Sequence, residues 1–190
     1  MIQNFIGLQT AFNALGAALL VHCGQNANVV CETYGVKIRL DEPLFIRGAQ
    51  SEIIYRPKGN VTIRVRNGKI LPVIAKDFHI FHELGHYFLF EKGIIHGSLV
   101  IVNSRWEAFE GLCDAFAVGM IIGKHSGDTT HDPFWLLIHH MADKPLSGKR
   151  ITLIASRAFR RYAKSLPTSE TTKSLLQLAA YLHDLAYDNT

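Results

Sequence analysis

The chain has 190 residues, 48% hydrophobic and 19% charged, which fits one globular domain and excludes a disordered, collagen-like or coiled-coil protein. The formal net charge of +4 is mildly basic, and its densest group, in residues 149–164, is expected to be a solvated helix face, with a surface for nucleic acid or an acidic partner as the alternative. The three cysteines are odd in number and lack a CxxC spacing, which argues against a disulfide framework and a thiolate zinc site and predicts a cytoplasmic protein.

The first segment of the chain, residues 2–22, is predicted to form an amphipathic helix. Apolar residues recur there at helical spacing, and Gly24 follows as a stop signal. A signal peptide is the alternative, but no Lys or Arg precedes the apolar stretch and polar residues interrupt it. Because no run of about 18 uninterrupted apolar residues occurs, no transmembrane helix and no membrane partner are expected.

Residues 27–70 change from a short helix to strands. The helix is predicted at 27–34, and Gly35 ends it. Alternating apolar and polar residues predict strands at 36–40 and 61–66, and a short apolar run predicts another at 52–55. Asn67-Gly68 is a tight-turn signal. We expect these strands to form a small antiparallel sheet with one solvated, basic face.

From Pro72 onward the hydrophobic period is helical. The predicted elements are a helix at 72–90, an edge strand at 98–102, and helices at 105–122, 133–142, 148–165 and 169–187. The one plausible boundary lies near 124–132. The sequence therefore predicts an α+β fold with a core at 1–123 and a helical C-terminal extension at 124–190 that packs on the same domain.

The stretch His82-Glu83-Leu84-Gly85-His86 carries the strongest chemical signal. Positions i and i+4 of a helix share one face, so both imidazoles can bind one metal ion, as the HExxH pattern requires. Glu83 lies beside them, where its carboxylate can take a proton from a metal-bound water. The flanking residues are apolar, and burying these polar groups without a partner is costly. We therefore predict one zinc ion per chain.

A third protein ligand is expected from the second long helix. Glu110 and Asp114 are also i and i+4, so Glu110 can bind the metal while Asp114 accepts the outer N–H of a ligating histidine. Glu107 is the competing ligand, but no carboxylate follows it four residues later. We favour Glu110. Two histidines and one glutamate favour zinc over manganese or iron.

Other residues near the motif have a structural and a functional interpretation. His79 is expected to be capped or solvated, although it could lie near the metal, and His96 could line the cleft or be exposed. Cys113 is interpreted as a packed small residue, with a zinc ligand or a redox switch as the alternatives. A zinc peptidase built on the HExxH pattern also needs a group that stabilises the oxyanion formed when the peptide carbonyl is attacked. The candidates are His139, His140, Tyr87 and Tyr55.

HELGH, followed by Glu110-Gly111-Leu112-Cys113-Asp114-Ala115-Phe116-Ala117, resembles the ImmA/IrrE family of metallopeptidases, within the wider gluzincin group. The N-terminal helix and Gly35-Val36-Lys37-Ile38 also fit, so the resemblance covers roughly residues 1–123. Cys113 stands where the family has alanine, and Gly119-Met120-Ile121-Ile122-Gly123 departs from the family's usual Leu-Leu-Met-Pro ending. The resemblance implies a zincin-like core, one zinc ion, a cytoplasmic location and cleavage of a specific regulatory protein such as a transcriptional repressor.

The sequence thus predicts a zinc-dependent metalloendopeptidase. His82, His86 and Glu110 would bind zinc, Glu83 would be the general base, and Asp114 would support a ligating histidine. An edge strand of the sheet would hold an extended protein or peptide substrate by strand addition. The alternatives are a catalytically silent zinc-site protein that acts by protein–protein contact, and a nucleic-acid-associated protein that uses the basic C-terminal helices.

Overall fold

The computed structural model of the protein describes residues 2–45, 49–56, 59–94, 104–126 and 147–187. These residues form six helices and three strands, which confirms the predicted α+β fold. In chain order the elements are α1 (Ile2–His22), α2 (Ala27–Thr33), β1 (Lys37–Leu40), β2 (Ser51–Arg56), β3 (Asn60–Val65), α3 (Val73–Glu91), α4 (Ser104–Ser126), α5 (Gly148–Ser165) and α6 (Glu170–Tyr187). The strand predicted at 98–102 and the helix predicted at 133–142 lie outside the described residues.

The helix that carries the HELGH motif, α3, begins and ends at residues that suit these positions. Pro72 stands immediately before the first residue of α3. A proline is tolerated there because the first residues of a helix donate no internal backbone hydrogen bond. Gly93 follows its last turn with a φ of +66°, a left-handed conformation that glycine adopts without steric cost. The amide of Ile94 then donates to the carbonyl of Leu89 at 2.9 Å and closes the helix end.

The predicted end of α4 at Ile122 is wrong, because the helix continues through Gly123 to Ser126. Gly123 is not a stop signal here. A Cβ atom at this position would collide with the Sγ atom of Cys23, just after α1. The missing side chain therefore allows the end of α1 to approach α4 closely, which is a packing reason for glycine and not a helix-ending one.

The prediction of an antiparallel sheet is also wrong in part, since the three strands form a mixed sheet in the order β1-β3-β2. β2 and β3 pair antiparallel, with Ser51 opposite Val65. β1 pairs with the other edge of β3 in parallel, with Lys37 opposite Thr62. Strand alternation reports which residues face the core, but it carries no information about strand order or direction. β2 is thus an edge strand of the described sheet.

The face of the sheet that was expected to be solvated is partly covered. Arg64, at the centre of β3, has a side chain that is only 11% exposed. Its guanidinium lies 3.1 Å from Glu42 and 3.5 Å from Glu52, and 4.7 Å from the ring centre of Phe45. The loop after β1 therefore folds over this face, and ion pairs of Arg64 with Glu42 and Glu52 replace part of the basic surface that the sequence suggested.

The helices pack around α3 and α4. α1 contacts both of them, and α3 lies across β2 and β3. α5 packs along α4, and α6 packs on α5 and reaches α3. The C-terminal helices therefore lie directly against the helices that carry the HELGH motif and Glu110.

No single described helix combines the length and the apolar character that crossing a bilayer requires. Leu8–His22 and Ala27–Thr33 meet that test only when they are taken together, and they are bent by 106° relative to each other.

Candidate metal centre

The candidate centre lies where α3 and α4 cross. Gly85, the glycine of HELGH, marks the crossing, because a Cβ atom there would lie 3.0 Å from the Sγ atom of Cys113 and 3.3 Å from its Cα atom. Those distances are tighter than ordinary packing allows. Glycine lets the two helices approach until His82 and His86 on α3 face Glu110 on α4.

Three side-chain donor atoms converge at this point. The Nε2 atom of His82 lies 3.2 Å from Nε2 of His86 and 3.2 Å from Oε2 of Glu110, and Nε2 of His86 lies 3.1 Å from Oε1 of Glu110. Four ligands at about 2.0–2.1 Å from a zinc ion in tetrahedral geometry stand about 3.3 Å apart. His82, His86 and Glu110 could therefore hold one metal ion with little rearrangement.

The three candidate ligands do not form a closed cage. The side chain of Glu110 is 36% exposed, whereas those of His82 and His86 are 13% and 6% exposed. Within the described part of the chain, no fourth His, Cys, Asp or Glu joins the group. Three protein ligands with one accessible side are typical of a catalytic metal site, whereas structural zinc sites use four protein ligands.

Asp114 fixes the orientation of His82. Its Oδ1 atom lies 2.9 Å from Nδ1 of His82, and its Oδ2 atom accepts a hydrogen bond from the hydroxyl of Thr152 at 2.8 Å. A carboxylate can only accept, so the Nδ1 atom of His82 carries a proton, and the Nε2 atom is the one that faces the other two candidate ligands. Both Asp114 and Thr152 are buried, and Thr152 belongs to α5.

The protein groups favour a positive charge at the point where the ligands converge. Burial lowers the pKa of His82, but its hydrogen bonds with Asp114 and Glu110 outweigh burial and raise the pKa well above its usual value. Burial raises the pKa of Glu110, but the nearby His86 and His82 dominate and lower it below its usual range. A site with this charge arrangement suits a cation.

Glu83 lies next to this group and is held by β2. It is buried, and its Oε1 atom accepts a hydrogen bond from the hydroxyl of Ser51 at 2.7 Å. Burial raises the pKa of Glu83 above its usual value, although His82, His86 and the bond from Ser51 act in the opposite direction. The first residue of the edge strand therefore touches the proposed base.

Cys113 and Tyr55 are two further residues near the centre, since Tyr55 interacts electrostatically with both Cys113 and Glu83. The Sγ atom of Cys113 lies 3.6 Å from Nδ1 of His86, and burial raises the thiol pKa well above its usual value. Tyr55 lies on β2 with its ring 4.1 Å from that of Phe90, and within the described residues its hydroxyl is buried without a hydrogen-bond partner. Of the oxyanion candidates named from sequence, Tyr55 thus has a hydroxyl that remains available.

The remaining sequence candidates do not join the three ligands. His79 is buried one turn before His82, and its ring centre is 6.4 Å from that of Tyr181 on α6. The side chain of Glu107 lies outside the described residues, as do His96, His139 and His140.

Sequence reasoning missed Ser51, which donates to Glu83, and Thr152, which donates to Asp114. They are far from the motif along the chain, and no local pattern marks them.

The protein therefore has an α+β fold and a group of three residues, His82, His86 and Glu110, that could bind a metal ion. Comparison of the chain with protein-family models, with curated proteins and with solved structures finds no match to any of them.

Proposed function

We propose that this protein is a zinc-dependent metalloendopeptidase that hydrolyses a peptide bond in a specific protein. The observation that carries the proposal is the convergence of His82, His86 and Glu110 within 3.1–3.2 Å. The buried carboxylate of Glu83 is close enough to all three to interact with them electrostatically. Two imidazoles and one carboxylate with an accessible side match the ligand set of zinc hydrolases. When bound, zinc would supply Lewis-acid chemistry, polarising a peptide carbonyl and acidifying water.

The chain's own groups have separable roles in this proposal. Glu83 is the general base and takes a proton from the attacking water, and the hydroxyl of Ser51 holds its carboxylate in place. Asp114 keeps His82 in the tautomer that presents Nε2. The buried hydroxyl of Tyr55 on β2, which has no hydrogen-bond partner among the described residues, would donate to the oxyanion that develops as the carbonyl is attacked.

The edge strand β2 provides the surface for the substrate backbone. It pairs only with β3 in the described sheet, so its other edge can add an extended peptide strand. Its first residue, Ser51, contacts Glu83, which would bring an added strand close to the base. That the substrate is a regulatory protein such as a transcriptional repressor, and that the enzyme works in the cytoplasm, rests on the resemblance of the motifs to the ImmA/IrrE family.

The proposal is tested by measuring metal content and cleavage on the same set of variants. We expect one zinc ion per chain in the wild type and little in Glu110→Ala, since that change removes one of three ligands. Glu83→Gln should retain zinc and lose cleavage of a peptide library. Glu91→Gln, at an exposed glutamate at the end of the same helix, is the matched control and should retain both.

Two outcomes would contradict the proposal. Wild-type protein that binds no zinc after addition of a stoichiometric amount would remove the metal site. If the zinc-loaded Glu83→Gln variant keeps the biological effect of the wild type, the protein would instead be a catalytically silent zinc-site protein that acts by protein–protein contact. Tyr55→Phe separates the oxyanion role from binding, since it should slow cleavage without changing zinc content.

A further inference from the structure

A cavity of about 350 Å³ lies between the beginning of α3 and one face of α6. Leu71, Pro72 and Ala75 line it from the α3 side, and Leu178 lines it from α6. This volume is at the lower end for ligand pockets and is large enough for one large apolar side chain. Neither the metal ligands nor the proposed base belongs to its lining.

The cavity flanks the metal centre, because residues on two of its sides are neighbours of the site residues. Gln50, in its wall, immediately precedes Ser51, whose hydroxyl is 2.7 Å from Glu83. His79, also in its wall, lies one helical turn before His82 and therefore on the same side of α3. Tyr181 of α6, with its ring centre 6.4 Å from that of His79, completes this side.

The described lining carries no carboxylate, ammonium or guanidinium group. Its polar members are the amides of Gln50 and Gln177, the hydroxyls of Ser174 and Tyr181, and the imidazole of His79. Burial, followed by the charge of His82, lowers the pKa of His79 to about 4, so this imidazole is neutral near pH 7. A charged side chain entering the cavity would lose hydration without gaining a counter-charge, whereas an apolar one would gain from burial.

We propose that this cavity is the subsite that receives an uncharged, largely apolar side chain of the substrate, from a residue beside the scissile bond. The inference rests on the proposed peptidase function and assigns a specificity role to α6. Leucine, methionine and phenylalanine are the side chains that fit its volume and its uncharged wall. The C-terminal helix would then select the substrate, while α3 and α4 carry the metal ligands.

The test changes the charge of the wall without changing its shape. Gln177 lines the cavity from α6, and its side chain has nearly the same shape as that of glutamate. Because Gln177 is exposed, Gln177→Glu does not disturb the core. Zinc-loaded wild type, Gln177→Glu and Ala180→Glu are each incubated with a proteome-derived peptide library, and the cleaved bonds are read by mass spectrometry. Ala180 is exposed on the same helix but outside the cavity lining, so it controls for an added negative charge on α6.

We expect one position beside the cleaved bond to be enriched in uncharged apolar residues in the wild type. Gln177→Glu should raise the relative use of lysine and arginine at that position by about fivefold, the size of a partly exposed ion pair. Ala180→Glu should not change it. A wild type that cleaves without such a preference, or a preference that Gln177→Glu leaves unchanged, would overturn the inference.

A second readout separates this inference from the proposed function. In amide NMR spectra of Glu83→Gln, N-acetyl-phenylalanine amide should shift the signals of Ser174 and Leu178, and N-acetyl-lysine amide should not. If the wild type cleaves no peptide but these shifts occur, the peptidase proposal fails and the cavity remains a site for uncharged side chains. If neither compound shifts these signals, the cavity assignment is wrong, whether or not peptides are cleaved.

Discussion

Replacing Asp114 by asparagine would measure how much the negative charge behind His82 contributes to metal binding. The side chain of Asp114 is 4% exposed, and its two oxygens contact His82 at 2.9 Å and Thr152 at 2.8 Å. In Asp114→Asn the amide oxygen can still accept from Nδ1 of His82. The amide nitrogen can donate to the Thr152 hydroxyl, which rotates to accept. Both contacts can therefore persist while the charge is lost.

The expected effect follows from the typical contribution of such a partner to a ligating histidine. Removing it costs about 10–100-fold in metal affinity, or about 1.4–2.8 kcal/mol. The unfolding free energy of the metal-free variant should change by less, because no buried hydrogen-bonding group is left without a partner. Thr152→Val in the Asp114→Asn background would then leave the amide nitrogen unsatisfied and should cost about 1–3 kcal/mol of stability.

The zinc dissociation constant is measured by competition with a chromogenic chelator, and stability is measured by urea unfolding of the metal-free proteins. Asp184→Asn makes the same chemical change at a side chain that is 69% exposed on α6, and it should leave zinc affinity unchanged. If Asp114→Asn binds zinc within about twofold of the wild type, the carboxylate does not tune His82, and the reasoning about the buried charge is refuted.

Three further predictions concern stability and reactivity. Burial lowers the pKa of His79 to about 4 in the folded protein, so the unfolded chain takes up this proton at a higher pH than the folded chain does. The free energy of unfolding should therefore fall as the pH decreases from about 6.5 toward 4, by at most about 3 kcal/mol. In urea titrations at about pH 7 and about pH 5, His79→Gln should remove that part of the decrease. Gly111→Ala should destabilise the protein by about 1–3 kcal/mol, because the added Cβ atom would lie 2.6 Å from the carbonyl oxygen of Gly148. This steric cost should outweigh the higher helix propensity of alanine, and a higher thermal midpoint in the variant would contradict the prediction. Burial raises the pKa of Cys31 to about 12, so alkylation of the native protein followed by mass spectrometry should modify Cys23, which is partly exposed, well before Cys31.

The positions of the helices were predictable because the signal is local. Helical periodicity located α3 and α4 to within a few residues, and the i, i+4 spacing placed His82 beside His86 and Glu110 beside Asp114 on shared faces. The end of α4 was misplaced because Gly123 has a tertiary reason, the close approach of Cys23, that a helix-stop rule does not contain. The same holds for Gly85 at the crossing of α3 and α4.

The order and direction of the strands could not be obtained in this way. Alternation in residues 36–40 and 61–66 is satisfied equally by parallel and antiparallel pairing, and β1 proved to be parallel to β3. The contacts of Arg64 with Glu42 and Phe45 are likewise long-range, and they leave the side chain at the centre of the expected basic face only 11% exposed.

The sequence by itself determined the α+β class, the helical framework and the three residues, His82, His86 and Glu110, that could hold a metal ion, because residue type and short spacing encode these properties directly. Only the tertiary structure decided what surrounds that chemistry. The hydroxyls of Ser51 and Thr152 reach Glu83 and Asp114 from elements 32 and 38 residues away along the chain, and α6 closes a cavity beside the site. Such contacts depend on how whole elements pack against each other, and no local pattern of residues specifies that packing.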